Sequence, residues 1–182
     1  KKKTILFVGG SLGARTVNES ILRRLDAIRK SEVQIIWQTG KFYSAKIKAQ
    51  LENAEPVKNL VVTDFISDMG TAYKAADLII SRAGASSISE FCLIGKPVIL
   101  VPSPNVAEDH QTKNAMSLVN KQAAMIMKDA QAPDELVDLA LETVNSKEKL
   151  ESLSMNIKKL ALPDSANIIA DEVLKLAEEG KK

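Results

Sequence analysis

Six short runs of β-branched and apolar residues recur along the chain at near-regular spacing: Thr4 to Val8, Val33 to Trp37, Leu60 to Thr63, Leu78 to Ile80, Val98 to Val101 and Ala124 to Met127. Helix-length amphipathic stretches lie between them. In the first, Val17, Ile21, Leu25 and Ile28 mark one face and Arg23, Arg24, Asp26 and Arg29 the other, which predicts a single helix. The later strands are continuously apolar and do not alternate, as expected when both faces of a sheet are covered. Such strands separated by helices predict a parallel sheet with right-handed crossovers, a doubly wound, Rossmann-like α/β domain. After Pro133 the pattern is helix only: Asp134 to Val144, Lys147 to Leu160, then Asp164 to about Glu179.

The chain has 182 residues, 45% hydrophobic, 26% charged and 4% aromatic, which excludes disordered, collagen-like and disulfide-scaffold classes. One core can serve up to about 250 residues, so residues 1–182 are expected to form a single domain with an all-helical part from about residue 133. The formal net charge is +2, from 25 basic and 23 acidic residues that are interspersed. Without a basic stripe and with few aromatics, DNA or any other nucleic acid is not an expected partner. Lys1 to Lys3 and Lys181 to Lys182 read as solvated tails. The single cysteine, Cys92, lies in an apolar run, excludes an internal disulfide and reads as core. Ile5 to Val8 is too short for a signal peptide, and no stretch approaches the ~18 residues of a spanning helix, so the expected location is cytoplasmic. The chain begins with Lys and not Met, which suggests a piece of something longer.

In a doubly wound sheet, ligands bind at the carboxyl ends of the strands, where loops lead into helix N-termini. Four junctions qualify. Gly9-Gly10-Ser11-Leu12-Gly13-Ala14 follows the first strand; its glycines allow positive φ and its amides and helix dipole attract a phosphate, with Ser11 a further donor or a simple helix cap. Ser81-Arg82-Ala83-Gly84-Ala85-Ser86-Ser87-Ile88-Ser89-Glu90 offers a second anion cradle. There Glu90 either accepts hydrogen bonds from a ribose diol or closes a capping box with Ser87. Phe65-Ile66-Ser67-Asp68-Met69 contains an N-cap at Ser67 or Asp68, and Ile66 is a core or rim residue that can also face a planar base. The long loop Pro102 to Asn114 carries His110, Gln111, whose amide suits sugar hydroxyls, and Asp109, an expected N-cap.

Several chemistries are excluded by the same residues. The dinucleotide fingerprint is not met, and the second strand ends Trp37-Gln38-Thr39-Gly40 with no acid for a ribose, so a nicotinamide cofactor is not expected. Gly95-Lys96 is followed by Pro97, which rules out a P-loop. The serine-hydrolase elbow lacks its closing glycine, and His110, the only histidine, has no companion for a relay or metal site.

Taken in order, Gly9 to Arg15, Phe65 to Met69, Arg82 to Glu90 and Asp109 to Ala115 resemble the MurG family of bacterial glycosyltransferases, from about Thr4 to the final helix. Members of that family add N-acetylglucosamine to the undecaprenyl-linked muramyl-pentapeptide of peptidoglycan synthesis. The family has the GT-B arrangement of two Rossmann-like domains, and the resemblance is to the carboxyl-terminal, donor-binding one. It implies that Ser11, with Gly10 and Gly13, holds the donor pyrophosphate, that Ile66 meets uracil through its backbone, and that Glu90 holds the ribose hydroxyls. Ala85, Ser86, Ser87, Ile88 and Ser89 would line the diphosphate and Gln111 the N-acetylglucosamine. His110, where some members carry Gln, and Arg15, Met69 and Asn114 fall within the matching blocks and complete the candidate contacts.

The resemblance further implies no cofactor and no metal, UDP-N-acetylglucosamine as substrate, and inversion at the anomeric carbon. It places the general base, the lipid-linked acceptor and the contact with the cytoplasmic face of the plasma membrane in an amino-terminal domain without counterpart here. No catalytic residue is expected in this chain, which alone would bind donor without transferring it. The alternatives are a domain of a UDP-N-acetylglucosamine epimerase and a non-catalytic nucleotide-sugar-binding subunit of a split glycosyltransferase.

Overall fold

The computed structural model describes residues 2–179; Lys1 and the terminal Lys181 and Lys182, read above as tails, lie outside them. Six strands, β1 (Thr4–Val8), β2 (Gln34–Gln38), β3 (Leu60–Thr63), β4 (Leu78–Ser81), β5 (Val98–Leu100) and β6 (Met125–Ile126), form one sheet in the order β3-β2-β1-β4-β5-β6. Every pairing is parallel, with Leu6 of β1 opposite Ile36 on one side and Ile79 on the other. This is the doubly wound α/β architecture the apolar runs predict.

The runs are apolar because the central strands are covered on both faces; on the edge strand β3 only Leu60 and Val62 pack inward, and Val61 is exposed. Ile5, Phe7, Ile35, Trp37, Leu78 and Ile80 point into one core, which is closed by α1 (Arg15–Arg23), α2 (Leu25–Lys30), α3 (Lys41–Glu52) and α7 (Ala132–Asn145). Leu6, Ile79, Val98 and Leu100 point into the other, closed by α4 (Met69–Ala75), α5 (Ala85–Ile94), α6 (His110–Val119) and α8 (Lys147–Lys158). Cys92 is buried in this second core, and the apolar surroundings push its thiol above its usual range. The helical carboxyl-terminal part thus returns to the sheet: α7 inserts Leu136, Val137 and Ala140 into the first core and α8 inserts Ile157 into the second. The last helix, α9 (Ser165–Glu179), has no buried residue.

One expected element divides. The stripe Val17, Ile21, Leu25, Ile28 spans two helices, because Arg24 leaves the helical region (φ −117°, ψ 21°). Its guanidinium donates to the Asp134 carbonyl at 3.2 Å and to the Asp138 carboxylate, tying the break to α7. Contacts made more than a hundred residues away redirect the chain where local periodicity alone would carry it on.

Polar groups inside the first core are fully paired. The buried Asn18 accepts from Trp37 Nε1 at 2.8 Å and donates from Nδ2 to the Thr39 carbonyl at 2.9 Å, locking α1 to β2 and its following turn. Asn18→Ala orphans a buried donor and a buried acceptor together, so urea unfolding is expected to show a loss of about 2–4 kcal/mol. A loss below about 0.5 kcal/mol would mean that these groups find other partners.

Candidate functional site

Strand order reverses direction between β1 and β4, so the chain leaves β1 for the face covered by α1 and leaves β4 for the face covered by α5. The two departing turns open a crevice at the carboxyl edge of the sheet, where ligands of such folds bind. The turns after β3 and β5 reach the same edge, and with them all four junctions singled out in the sequence.

The β1–α1 turn is built by glycine packing. Gly13, at φ +91°, passes so close to the next turn that a Cβ would sit 2.2 Å from the Thr39 carbonyl oxygen, and one on Gly40 would sit 2.1 Å from the Gly13 nitrogen. Gln38 then clamps Gly10: its Oε1 accepts from the Gly10 amide at 3.1 Å, and its Nε2 donates to the Gly10 carbonyl at 2.8 Å. The Gly13 amide donates to the Gly10 carbonyl at 3.0 Å. Gly10 and Gly13 therefore shape the turn with their amides already engaged, and open space lies where a Gly10 side chain would be. Ser11 is exposed with its carbonyl held by the Lys41 amide at 3.1 Å. It does not cap α1: the N-cap is Ala14, which has no side chain to do so, and the first turn holds no acid. The start of α1 thus carries no side-chain cap; the carboxylate that reaches its first turn, Asp129 on Thr16, is itself paired with Arg82.

The β4–α5 turn is held from both sides. Arg82 points inward, donating to the Val101 carbonyl at 3.0 Å, to the Thr16 hydroxyl at 3.3 Å and to Asp129, which also accepts from Thr16. Ala83 is gripped by α6: its amide donates to Gln111 Oε1 at 3.3 Å and its carbonyl accepts from Asn114 Nδ2 at 3.1 Å. Gln111 Oε1 also accepts from the Ser103 amide at 2.9 Å, which leaves Nε2 as the donor this side chain can offer. Helix α5 follows its N-cap Gly84 with no side-chain cap and no acid in its first turn, so Ala85, Ser86 and Ser87 form a second uncapped helix start. The capping-box alternative fails, because Ser87 lies inside the helix and not at its start. Glu90 is instead exposed, with Oε2 accepting from the Tyr73 hydroxyl at 2.9 Å.

At the β3–α4 turn, Asp68 is the N-cap, accepting from the Thr71 amide at 3.0 Å. The Thr71 hydroxyl and amide hold its carboxyl below the usual range. Ile66, Met69 and Ile88 pack, half-buried, around the second core beside Tyr73 and Phe91. On the β5–α6 loop, Asp109 is the residue before α6, yet its carboxylate accepts from the Thr112 hydroxyl at 2.7 Å and caps no amide. Both Asp109 and Glu108 sit at φ +52°, outside the helical region. His110 engages the Ala107 carbonyl of its own loop at 2.8 Å.

The candidates fall into three groups. Gly10, Ser11, Gly13, Ala85, Ser86, Ser87, Gln111 and Asn114 belong to the turns and helix starts around the crevice. Ile66, Met69, Ile88 and Glu90 belong to the α4–α5 side. Arg15 stands apart, lining a groove of about 610 Å³ between α1 and α3, and Ser89 bonds back to the Ala85 carbonyl at 3.2 Å. Gln38, Tyr73, Thr16 and Asp129 support the site without belonging to any motif. The available signal for Gln38 is a polar residue closing an apolar strand. Among the described residues no three His, Cys, Asp or Glu side chains are grouped to hold a metal, and no helix is long and apolar enough to cross a membrane.

The model of the glycosyltransferase family 28 C-terminal domain matches residues 4–169. The chain is 64% identical over 181 residues to a UDP-N-acetylglucosamine--N-acetylmuramyl-(pentapeptide) pyrophosphoryl-undecaprenol N-acetylglucosamine transferase of Phocaeicola vulgatus, covering 100% of this chain and 48% of that protein. A Bacteroides fragilis protein of the same name is 62% identical over 180 residues, covering 98% of this chain and 47% of its own length. The chain thus spans about half the length of these relatives. Among solved structures, Acinetobacter baumannii MurG superimposes with a TM-score of 0.82 at 33% identity, over 96% of this chain and 50% of that one.

Arg82→Met strands the mostly buried Asp129 and is expected to cost about 2–4 kcal/mol in urea unfolding, while Arg82→Met/Asp129→Leu recovers at least about half of that loss; a double variant no better than the single would refute this reading of the pair. Asp68 is depressed in the folded chain, so its contribution is present above the unfolded carboxylate value of about 4 and is lost as pH falls through the folded value. Hydrogen-exchange protection at the Thr71 amide should therefore fall in acid, and the pH dependence should vanish in Asp68→Asn; an unchanged profile in that variant would assign it to another group.

Proposed function

The chain belongs to the glycosyltransferase family 28 C-terminal domain family, and from that membership we propose that it is the donor-binding half of an inverting N-acetylglucosaminyltransferase of peptidoglycan synthesis. The donor is UDP-N-acetylglucosamine and the acceptor is undecaprenyl-pyrophosphoryl-muramyl-pentapeptide, the substrates named for its relatives. One observation carries the reading: two helices, α1 and α5, start at the switch point with neither a side-chain cap nor a first-turn acid. Such paired positive ends suit a diphosphate, because helix-terminal amides and the helix dipole both favour an anion.

In this reading the Ser11 hydroxyl and the start of α1 meet one phosphate, and Ala85, Ser86 and Ser87 at the start of α5 meet the other. Glu90 accepts from the ribose hydroxyls, and the backbone at Ile66 meets the uracil edge, with Met69 and Ile88 as its apolar surroundings. Gln111 Nε2 serves an N-acetylglucosamine hydroxyl, with Asn114 holding the turn beside it. His110, on the same helix start, faces its own loop and has no assigned part.

The acceptor hydroxyl attacks the anomeric carbon from the face opposite UDP, so the new C–O bond forms as the bond to the diphosphate breaks and its electron pair leaves with UDP. The two helix starts meet the negative charge that grows on the leaving diphosphate. This chain supplies donor binding and leaving-group stabilisation. The proton acceptor, the lipid-linked acceptor groove and the attachment to the cytoplasmic face of the membrane belong to the part of the relatives' length that it does not span. The chain alone is accordingly expected to bind donor without transferring it.

Calorimetry with UDP-N-acetylglucosamine, UDP-glucose, UDP and NAD tests the assignment. Uridine nucleotides are expected to bind and NAD not to. Glu90→Ala should weaken binding at least about tenfold, the size of a hydrogen bond to a charged group, and Ser11→Ala about three- to tenfold. Failure of every uridine nucleotide to bind, or unchanged affinity in Glu90→Ala, would overturn it.

A further inference from the structure

The Tyr73 hydroxyl lies 2.9 Å from Glu90 Oε2, across the space between α4 and α5. The two ends of this bond differ in environment. Tyr73 is 8% exposed, and its ring meets Phe91 edge-on at 5.9 Å between centroids, so its hydroxyl has little freedom. Glu90 is exposed, and an exposed carboxylate on a helix ordinarily samples several rotamers. A rigid buried donor aimed at a mobile exposed acceptor orders the acceptor and leaves Oε1, with the second lone pair of Oε2, facing outward.

We propose that Tyr73 is a positioning residue that sets the Glu90 carboxylate for a vicinal diol and so makes the site discriminate ribonucleotides from their 2′-deoxy counterparts. The inference rests on the assignment of Glu90 to the ribose. A carboxylate with both oxygens presented accepts one hydroxyl hydrogen at each, and a sugar lacking one hydroxyl loses one of the two bonds. If the carboxylate is free to rotate, the two-point geometry must be ordered at binding, and the advantage of the second hydroxyl shrinks. Burial and the bond to Glu90 both push the Tyr73 phenol well above its usual value, so it remains a donor across the working pH range.

Tyr73 also ties two parts of the site together. It sits on α4, which begins at Met69 just after Ile66, and packs in the same core cluster as both. Its hydroxyl therefore links the segment assigned to the base with the helix assigned to the ribose and fixes the spacing between them.

Tyr73→Phe keeps the ring and removes only the hydroxyl. Dissociation constants for UDP and 2′-deoxy-UDP are measured in the unaltered chain, Tyr73→Phe, Glu90→Ala and the double variant, alongside melting temperatures. The unaltered chain is expected to prefer UDP by about tenfold, and Tyr73→Phe to cut that preference about three- to tenfold by weakening UDP. The melting temperature should fall by no more than about 3 °C, since water can replace the hydroxyl at the exposed carboxylate. In the Glu90→Ala background Tyr73→Phe should change neither constant. If Glu90→Ala weakens UDP while Tyr73→Phe retains the full preference, the positioning role is wrong and the ribose assignment stands. If Glu90→Ala leaves UDP binding unchanged, the ribose assignment fails and takes this inference with it.

Discussion

The turn from β4 into α5 depends on two side-chain amides of α6, Gln111 and Asn114, which take the amide and the carbonyl of Ala83. A turn at a sheet edge must satisfy its backbone polar groups without a ladder partner. Here that is done from outside the helix that follows, so the first amides of α5 stay unspent. Gln38 does the same for Gly10 across the crevice, and both amide clamps leave a helix start open. Beneath them Arg82 reaches Thr16, Asp129 and the Val101 carbonyl, joining α1, the residue after β5 and the segment after β6. The electrostatic character of the crevice follows from this division. Neighbouring side chains hold the loops, and the starts of α1 and α5 are left without side-chain caps.

The extent to which the sequence reveals this varies with the range of the interactions. All six strands lie within a residue or so of the apolar runs, because burial leaves a strong local mark, on both faces of the central strands and on one face of β3; β6 shrinks from Ala124–Met127 to Met125–Ile126 at the sheet edge. The four junctions are likewise legible, since glycine and small residues at strand ends have local causes. The clamps are not, because their partners lie 28 to 47 positions apart. Glu90 illustrates the limit well. Its spacing from Ser87 fits a capping box, but the helix starts two residues earlier, at Ala85, and the carboxylate turns to Tyr73 on a different helix. Arg24 is a second case, where contacts with α7 end a helix that periodicity would continue.

The chain spans about half of its relatives' length, and in a doubly wound sheet the crevice at the carboxyl edge of the strands is made within one domain. Both cores close around the sheet, and α7 and α8 return to cover it. In the function proposed above, this chain grips the diphosphate, and the nucleophile is brought by the part of the relatives' length that it does not span.

Amide and methyl chemical-shift mapping during titration with UDP-N-acetylglucosamine tests the central claim most directly, because it reports where the nucleotide sits. Large shifts are expected at Ser11, Ala85, Ser86 and Ser87, at the Ile66 and Ile88 methyls and at the Gln111 side chain, with the α1–α3 groove around Phe42 and Lys46 unmoved. Saturable shifts confined to that groove, with the starts of α1 and α5 silent, would contradict it.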